Sequence, residues 1–380
     1  MREVYMDNAA TTKLSEEVYN VMIECLANNY ANASSLHKLG RNSRKIIEDS
    51  RKNIAQALSV KKEEIIFTSG ATEADNMALI GVCRAFDIKE KNHIITTKVE
   101  HKAILNTCKY LESVGYEVTY LDVDSEGLVS IDSVKKAIKD TTLLISIMAV
   151  NNEIGTIMPI KEIGKLAKQK NIVFHTDAVA GFGKINLDMQ YIDLMSVSGH
   201  KIYGPKGIGL LYVRKGIPFE NIIYGGPQEF GMRPGTESIA SIKAMEMCVI
   251  TALNKLQSND EKELYDKREY LYKKLIDSVE NIILNGHKIQ RIAGNLNISI
   301  KEINGVVLAD QLSREGIYVS TSSACNSKEI LPSYVLKVIG CSDEEALSAI
   351  RITFDNNINY KDLDYVVDKI VRIVEELREI

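Results

Sequence analysis

Ser198-Gly199-His200-Lys201 closes the apolar run Leu194–Ser198, setting a lysine beside hydroxyl and imidazole groups. An amine so placed can form a Schiff base with an aldehyde. Asp177, at the end of an earlier apolar run, could neutralise a protonated ring nitrogen. Thr68-Ser69-Gly70-Ala71-Thr72 follows a third run and opens a helical pattern. Turn amides and hydroxyls at a helix start attract phosphate. An aldehyde, a basic ring nitrogen and a phosphate together describe pyridoxal 5′-phosphate (PLP).

Taken singly, each residue also has an ordinary reading. Thr72 and Asp75 could satisfy helix donors, and Asp177 could cap a turn. His101 could lie flat on a cofactor ring and carry protons, or be a partly buried histidine with its partners. Arg351 suits a bidentate clamp on a carboxylate and equally a structural ion pair. Cys325 sits in the small polar stretch Ser320–Ile330, a setting where a thiol can ionise and attack. The other five cysteines (25, 83, 108, 248 and 341) read as buried fillers.

These residues need elements to position them. Strands are predicted at Glu64–Thr68, His93–Thr97, Glu117–Leu121, Leu143–Val150, Ile172–Thr176, Leu194–Ser198 and Ile208–Val213, with helical patterns such as His101–Val114 and Ile160–Gln169 between them. Several runs are continuously apolar, as in strands buried on both faces. The alternation predicts an α/β fold with a mainly parallel, doubly wound sheet, whose ligands sit beyond the strand carboxyl ends. Tyr224–Thr236 is too rich in breakers for a regular element. A polar helical stretch over Ser238–Ser278 then leads into a smaller α+β part, with strands at Leu296–Ile300, Ile317–Val319 and Ile350–Phe354 and a terminal amphipathic helix.

At 380 residues the chain is long enough for two domains. A formal charge of −4 gives no electrostatic reason for a nucleic-acid partner. No apolar run approaches the ~20 residues of a membrane span. The stretch Met1–Asp7 lacks a signal-peptide core, and the scattered cysteines form no C-x-x-C pair. A cytoplasmic enzyme without a metal site is expected.

In order, these segments resemble the cysteine desulfurases of the class V aminotransferase family, of the Nif/Isc type. The matching stretches are Tyr5–Thr12, Ser34-Ser35-x-His37, Ser69–Asn76, Glu100-His101-Lys102, Asn151–Gly155, Ser198–Gly204, Arg233–Glu237, Ser323-Ala324-Cys325 and Pro332–Leu336. The resemblance implies PLP fold type I, with a large domain over 15–256 and a small one from 1–14 and 257–380. It implies that Lys201 holds the PLP aldehyde, Asp177 pairs with the pyridine nitrogen and His101 stacks on the ring. Ala71, Thr72, Ser198 and His200 would hold the phosphate, with Thr236 supplied by the second subunit of a homodimer. Asn152, near the cofactor, and Arg351 would receive the carboxylate of L-cysteine, and Cys325 would take its sulfur as a persulfide, leaving L-alanine. Acceptors of that sulfur would be an iron–sulfur scaffold or a tRNA-thiolation enzyme.

The chain departs from the family pattern in places. The usual D-A-x-Q reads Asp177-Ala178-Val179-Ala180, so a glutamine that contacts the cofactor's phenolic oxygen is missing. Its loss should shift the Schiff-base pKa and slow the chemistry. N-P-S-S reads Asn32-Ala33-Ser34-Ser35, and a glycine and threonine after Arg351 are replaced by Asp355 and Asn359. Alternative readings are an aminotransferase, a selenocysteine lyase, or a weakly active scaffold that docks partners.

Overall fold

The computed structural model describes residues 2–256, 258, 260–321, 324–326 and 329–379, with 324–326, 329 and 330 described by backbone alone. A seven-stranded sheet has the order Ile65–Thr68, Gly209–Val213, Leu194–Ser198, Val173–Asp177, Thr142–Ser146, His93–Thr97, Glu117–Leu121. All of its strands are parallel except Gly209–Val213, which runs antiparallel to both neighbours. The mainly parallel α/β sheet expected from the sequence is therefore present. The predicted strand over Leu143–Val150 stops at Ser146, and the chain beyond it turns towards the site.

Continuous apolar runs arise because both faces of the sheet are covered. Neighbouring residues point to opposite sides: Ile65, Ile95, Ile145 and Leu210 join one core, and Ile66, Ile94, Leu144 and Leu211 join the other. The second face is covered by the helices Ala71–Arg84 and Lys102–Ser113, through Leu79 and Leu111. The first is covered by Lys38–Ala57, Ile160–Gln169 and Ile239–Lys255. Ile145, Phe174 and Val197 have no exposed surface. Each such side chain contributes about 1.5–3 kcal/mol by leaving water.

The expected polar helix over Ser238–Ser278 is in fact two helices of opposite character. Ile239–Lys255 buries Ile242, Met245 and Val249 in the large core, whereas Asp260–Ser278 buries only a narrow stripe including Leu271 and Leu275. Charge density after residue 259 dominated the sequence pattern and masked the apolar first half.

A separate core holds Val4, Met6, Leu271, Ile298, Ile350 and Ile370. It lies on a four-stranded antiparallel sheet, Ser320–Thr321, Ala349–Thr353, Asn295–Ile300, Ile282–Leu284. The short strand Val4–Tyr5 pairs with Ile317–Tyr318, so the N-terminus folds with the C-terminal third. Val335, Leu336 and Ile339 cross back and pack in the large core.

Candidate active site

Five loops meet beyond the carboxyl ends of the large sheet, around a cavity of about 490 Å³. Ala71 and Thr72 follow one strand, and His101 and Asn152 follow two others. Asp177 ends a fourth, and Ser198, His200 and Lys201 leave a fifth. The small sheet contributes Arg351, and the N-terminal segment adds Ala9 and Ala10. The strand alternation explains the convergence, since every parallel strand delivers its following loop to the same edge.

At one end of the cavity, the helix Ala71–Arg84 begins at Gly70, which supplies no capping side chain. Its first amides have no intrahelical acceptor and point out of the helix start. Gly70 has φ 155° and ψ 178°, a conformation open essentially to glycine alone. Gly209 lies against it: a Cβ there would meet Gly70 Cα at 2.8 Å and Val197 O at 2.6 Å. Glu73 steadies the turn by accepting from the Ser69 amide at 2.7 Å and from Arg233 Nε at 2.7 Å. Ser198 is buried and His200 half-buried beside it. Burial first, then Lys201 and Lys206, lower the His200 pKa to about 4, so its imidazole is neutral.

Across the cavity, Asp177 is buried, with Oδ1 accepting from the Val179 amide at 2.9 Å. Burial raises its pKa against the opposing pull of that amide, His101 and Lys201. His101 caps its own helix, Nδ1 accepting from the Ala103 amide at 3.2 Å. Although its ring opens on the cavity, loss of surrounding water holds its pKa below the ordinary value. Lys201 Nζ donates to the carbonyls of Ala9 at 2.5 Å and Ala10 at 2.8 Å. Burial, then repulsion from Arg351 and Lys184, lowers the Lys201 pKa to about 8. This amine therefore loses its proton more readily than an ordinary lysine, as a nucleophile must.

Arg351 is nearly buried. Its Nη1 donates to Asn152 O at 3.0 Å and its Nη2 to Asp7 Oδ1 at 3.0 Å. Among the described residues, Arg351 Nε and Asn152 Oδ1 have no hydrogen-bond partner despite their burial.

Over residues 4–366 the sequence matches the family described as Aminotransferase class-V. A cysteine desulfurase IscS of Dictyoglomus turgidum is 46% identical over 381 residues, spanning 100% of this chain and 96% of that protein. Another from Methanosarcina thermophila is 43% identical and spans 99% and 93%. Among solved structures, a NifS-like protein superposes with a TM-score of 0.92 at 36% identity, covering 98% of this chain and 100% of that one. SspA, solved in complex with cysteine, gives 0.81 at 36% identity, covering 92% and 98%. The chain belongs to the class V aminotransferase family. Within it, the chain stands with the Nif/Isc-type cysteine desulfurases, as the sequence motifs implied.

PLP is the cofactor of this member of the class V aminotransferase family, and the cavity's own chemistry suits it. The uncapped helix start at Gly70 and the open space beside it can take a phosphate. Among the described residues the buried Asp177 forms no ion pair, and a protonated pyridine nitrogen would supply one. The partly neutral Lys201 suits an aldehyde. Ala71, Thr72, His101, Asn152, Asp177, Ser198, His200, Lys201 and Arg351 all line this one cavity. Thr236 is exposed and does not line it. Cys325 lies in the strand Ala324–Asn326, paired with Glu329–Leu331, and its side chain lies outside the described residues.

Where the family has its glutamine, Ala180 presents only a methyl group to the cavity. Its carbonyl accepts from Lys184 Nζ at 3.2 Å. Asn359 caps the terminal helix in a box with Asp362, so this departure is a helix signal rather than a site change. Asp355 accepts from Tyr203 Oη at 2.8 Å.

Sequence reasoning missed two parts of the site. Asp7 lies within a motif stretch, yet nothing in sequence links it to an arginine 344 residues away. Behind Asp177, His175 Nε2 lies 3.0 Å from Ser196 Oγ and 3.6 Å from Asp75 Oδ1. Asp75 is wholly buried in the helix interior rather than capping it, and burial followed by Asp177 raises its pKa well above the usual range. An i, i+2 spacing such as His175 to Asp177 on a strand was the available signal.

Proposed function

We propose that this chain is a PLP-dependent cysteine desulfurase, taking sulfur from L-cysteine to give L-alanine and a persulfide on Cys325. The observation that carries the proposal is that Lys201, the buried Asp177 and Arg351 line one cavity. The Arg351 guanidinium, in the lining of that cavity with Asn152, would receive the substrate carboxylate. Lys201 Nζ holds the cofactor aldehyde and, once released, takes the Cα proton of L-cysteine. Asp177 would keep the cofactor ring nitrogen protonated, and His101, in the same lining, would serve as a proton carrier. When bound, PLP supplies an electron sink for the pair left at Cα. The Cys325 thiolate takes the sulfur atom. The S–Cβ bond of L-cysteine breaks, an S–S bond forms, and the carbon skeleton picks up protons to leave as L-alanine.

A pairing of two copies of this chain belongs to the same reading, with Thr236 reaching the partner's phosphate site. Tyr19, Ile23 and Leu26 at helical spacing, with Leu36 and Tyr224, form exposed apolar surface that supports it. The two main apolar cores support a cofactor-holding domain over 15–256 and a small domain from 1–14 and 257–380, with Val335, Leu336 and Ile339 of the latter packing back on the large core. Iron–sulfur assembly or tRNA thiolation would consume the persulfide. No helix of the described residues is long and apolar enough to cross a membrane, and the cytoplasm is the proposed location.

The deciding experiment adds L-cysteine and an excess of a thiol reductant, which frees persulfide sulfur as sulfide, to the holoenzyme and assays alanine, sulfide and keto acid. Alanine and sulfide in equal amounts are expected, with Cys325→Ser keeping the visible cofactor band and losing sulfide release. Undiminished sulfide from that variant would overturn the persulfide on Cys325. Keto acid in place of sulfide would establish an aminotransferase instead.

A further inference from the structure

Tyr203 follows Lys201 by two residues and has φ 66°, in the left-handed region that a bulky side chain rarely enters. It is held there from three sides. Its amide donates to Thr12 Oγ1 at 2.7 Å, and its ring lies 4.9 Å from Lys255 Nζ. Its hydroxyl donates to Asp355 Oδ2 at 2.8 Å. Asp355 follows the strand Ala349–Thr353 that carries Arg351. It is one of the positions where this chain departs from the family's glycine, which has no side chain to accept that bond. One hydrogen bond thus joins the turn of Lys201 to the strand end of Arg351, from opposite parts of the fold.

A second tie across the same junction runs from Arg351 Nη1 to Asn152 O. It sits in the cavity itself, where a substrate carboxylate would compete for the arginine. The Tyr203–Asp355 bond lies outside the lining of that cavity, on the wall of a smaller one of about 150 Å³ behind Lys201. A substrate in the larger cavity would not compete for it.

We propose that Tyr203 and Asp355 form a latch that sets the distance between Lys201 and Arg351, making Asp355 a positioning residue for binding the substrate carboxylate. The inference rests on the roles given to Lys201 and Arg351 above. Neither latch residue lines the cavity that holds Lys201 and Arg351.

Two measurements test it. Hydrogen exchange is followed over residues 199–204 and 350–356 in the holoenzyme, and L-alanine binding is titrated through the visible cofactor band. Tyr203→Phe and Asp355→Ala should each speed exchange in both segments, and each should weaken L-alanine binding by about tenfold, the worth of one hydrogen bond. The double variant should be no worse than either single one. Asp355→Asn, which keeps an acceptor, should restore exchange and affinity to near those of the unaltered protein. Exchange confined to the substituted segment, additive losses, or an Asp355→Asn variant as loose as Asp355→Ala would each overturn the latch. An unaltered holoenzyme whose band ignores L-alanine would instead sink the functional reading, and exchange alone would then decide the latch.

Discussion

Arg351 and Asp7 stand 344 residues apart in the chain and 3.0 Å apart across the wall of the cavity. The pairing joins the first residues of the protein to the last strand of the small sheet. Among the described residues it leaves Arg351 with one nitrogen, Nε, buried and unpartnered. A charged donor held this way is oriented before substrate arrives, which lowers the entropic cost of binding a carboxylate.

Removing the pairing should therefore cost binding more than chemistry. Asp7→Asn is expected to raise the KM for L-cysteine roughly fivefold to tenfold with kcat changed less, the worth of a charge-assisted bond lost from an oriented arginine. Steady-state kinetics separate the two constants. A fall confined to kcat would count against the orienting role. Asp7 also raises the Lys201 pKa, so the same variant should shift that amine further down.

The Lys201 amine has its own pH signature. Its pKa is lowered to about 8 from 10.5, first by burial and then by Arg351 and Lys184. Between those values the unfolded chain binds more protons than the folded one, so this group's contribution to stability grows as pH rises from about 8 to 10.5 and is lost as pH falls back through 8. Capture of free PLP by the ligand-free protein should follow the neutral amine, rising with pH and levelling above about 8. Stopped-flow absorbance measures that rate. A plateau reached only near 10.5 would show an unperturbed lysine.

Ala180 makes a spectroscopic test. Restoring the family's side chain as Ala180→Gln places an amide donor where the cofactor's phenolic oxygen is expected. A donor there stabilises the phenolate and weakens its hold on the Schiff-base proton. The pH midpoint of the visible band should move down in the variant. An unchanged midpoint would show that the introduced amide does not reach that oxygen.

Gly209 tests the phosphate cradle. A Cβ at this position meets Gly70 Cα at 2.8 Å and Val197 O at 2.6 Å, and both are backbone atoms. Gly209→Ala should destabilise the protein by about 1–3 kcal/mol, the usual cost of overpacking. It should also weaken inorganic phosphate binding, because the displaced backbone is that of the helix start. Thermal unfolding and phosphate titration read the two effects. A variant with unchanged affinity would uncouple Gly209 from the cradle.

Most of the fold and much of the site were legible along the chain. Burial of a parallel sheet on two faces forces continuous apolar runs, and Leu194–Ser198 or Val173–Asp177 can hardly be read otherwise. Because parallel strands point the same way, the residues just beyond them had to share an edge, which is why Ala71, His101, Asp177 and Lys201 could be grouped in advance. What defeated the pattern was local masking. The apolar helix Ile239–Lys255 was hidden by the charged one after it, and Asp75 read as a cap although it is buried.

By itself, then, the sequence determined which residue types were available and which strand ends would carry them. Those are local properties of period, burial and turn chemistry. Only the tertiary structure decided that Asp7 would meet Arg351, that Asp355 would meet Tyr203, and that the amine of Lys201 would lie among cations poor in water. Such pairings depend on how one part of the chain docks on another, and proton affinities depend on distance and excluded water. Neither quantity is written in the order of the residues.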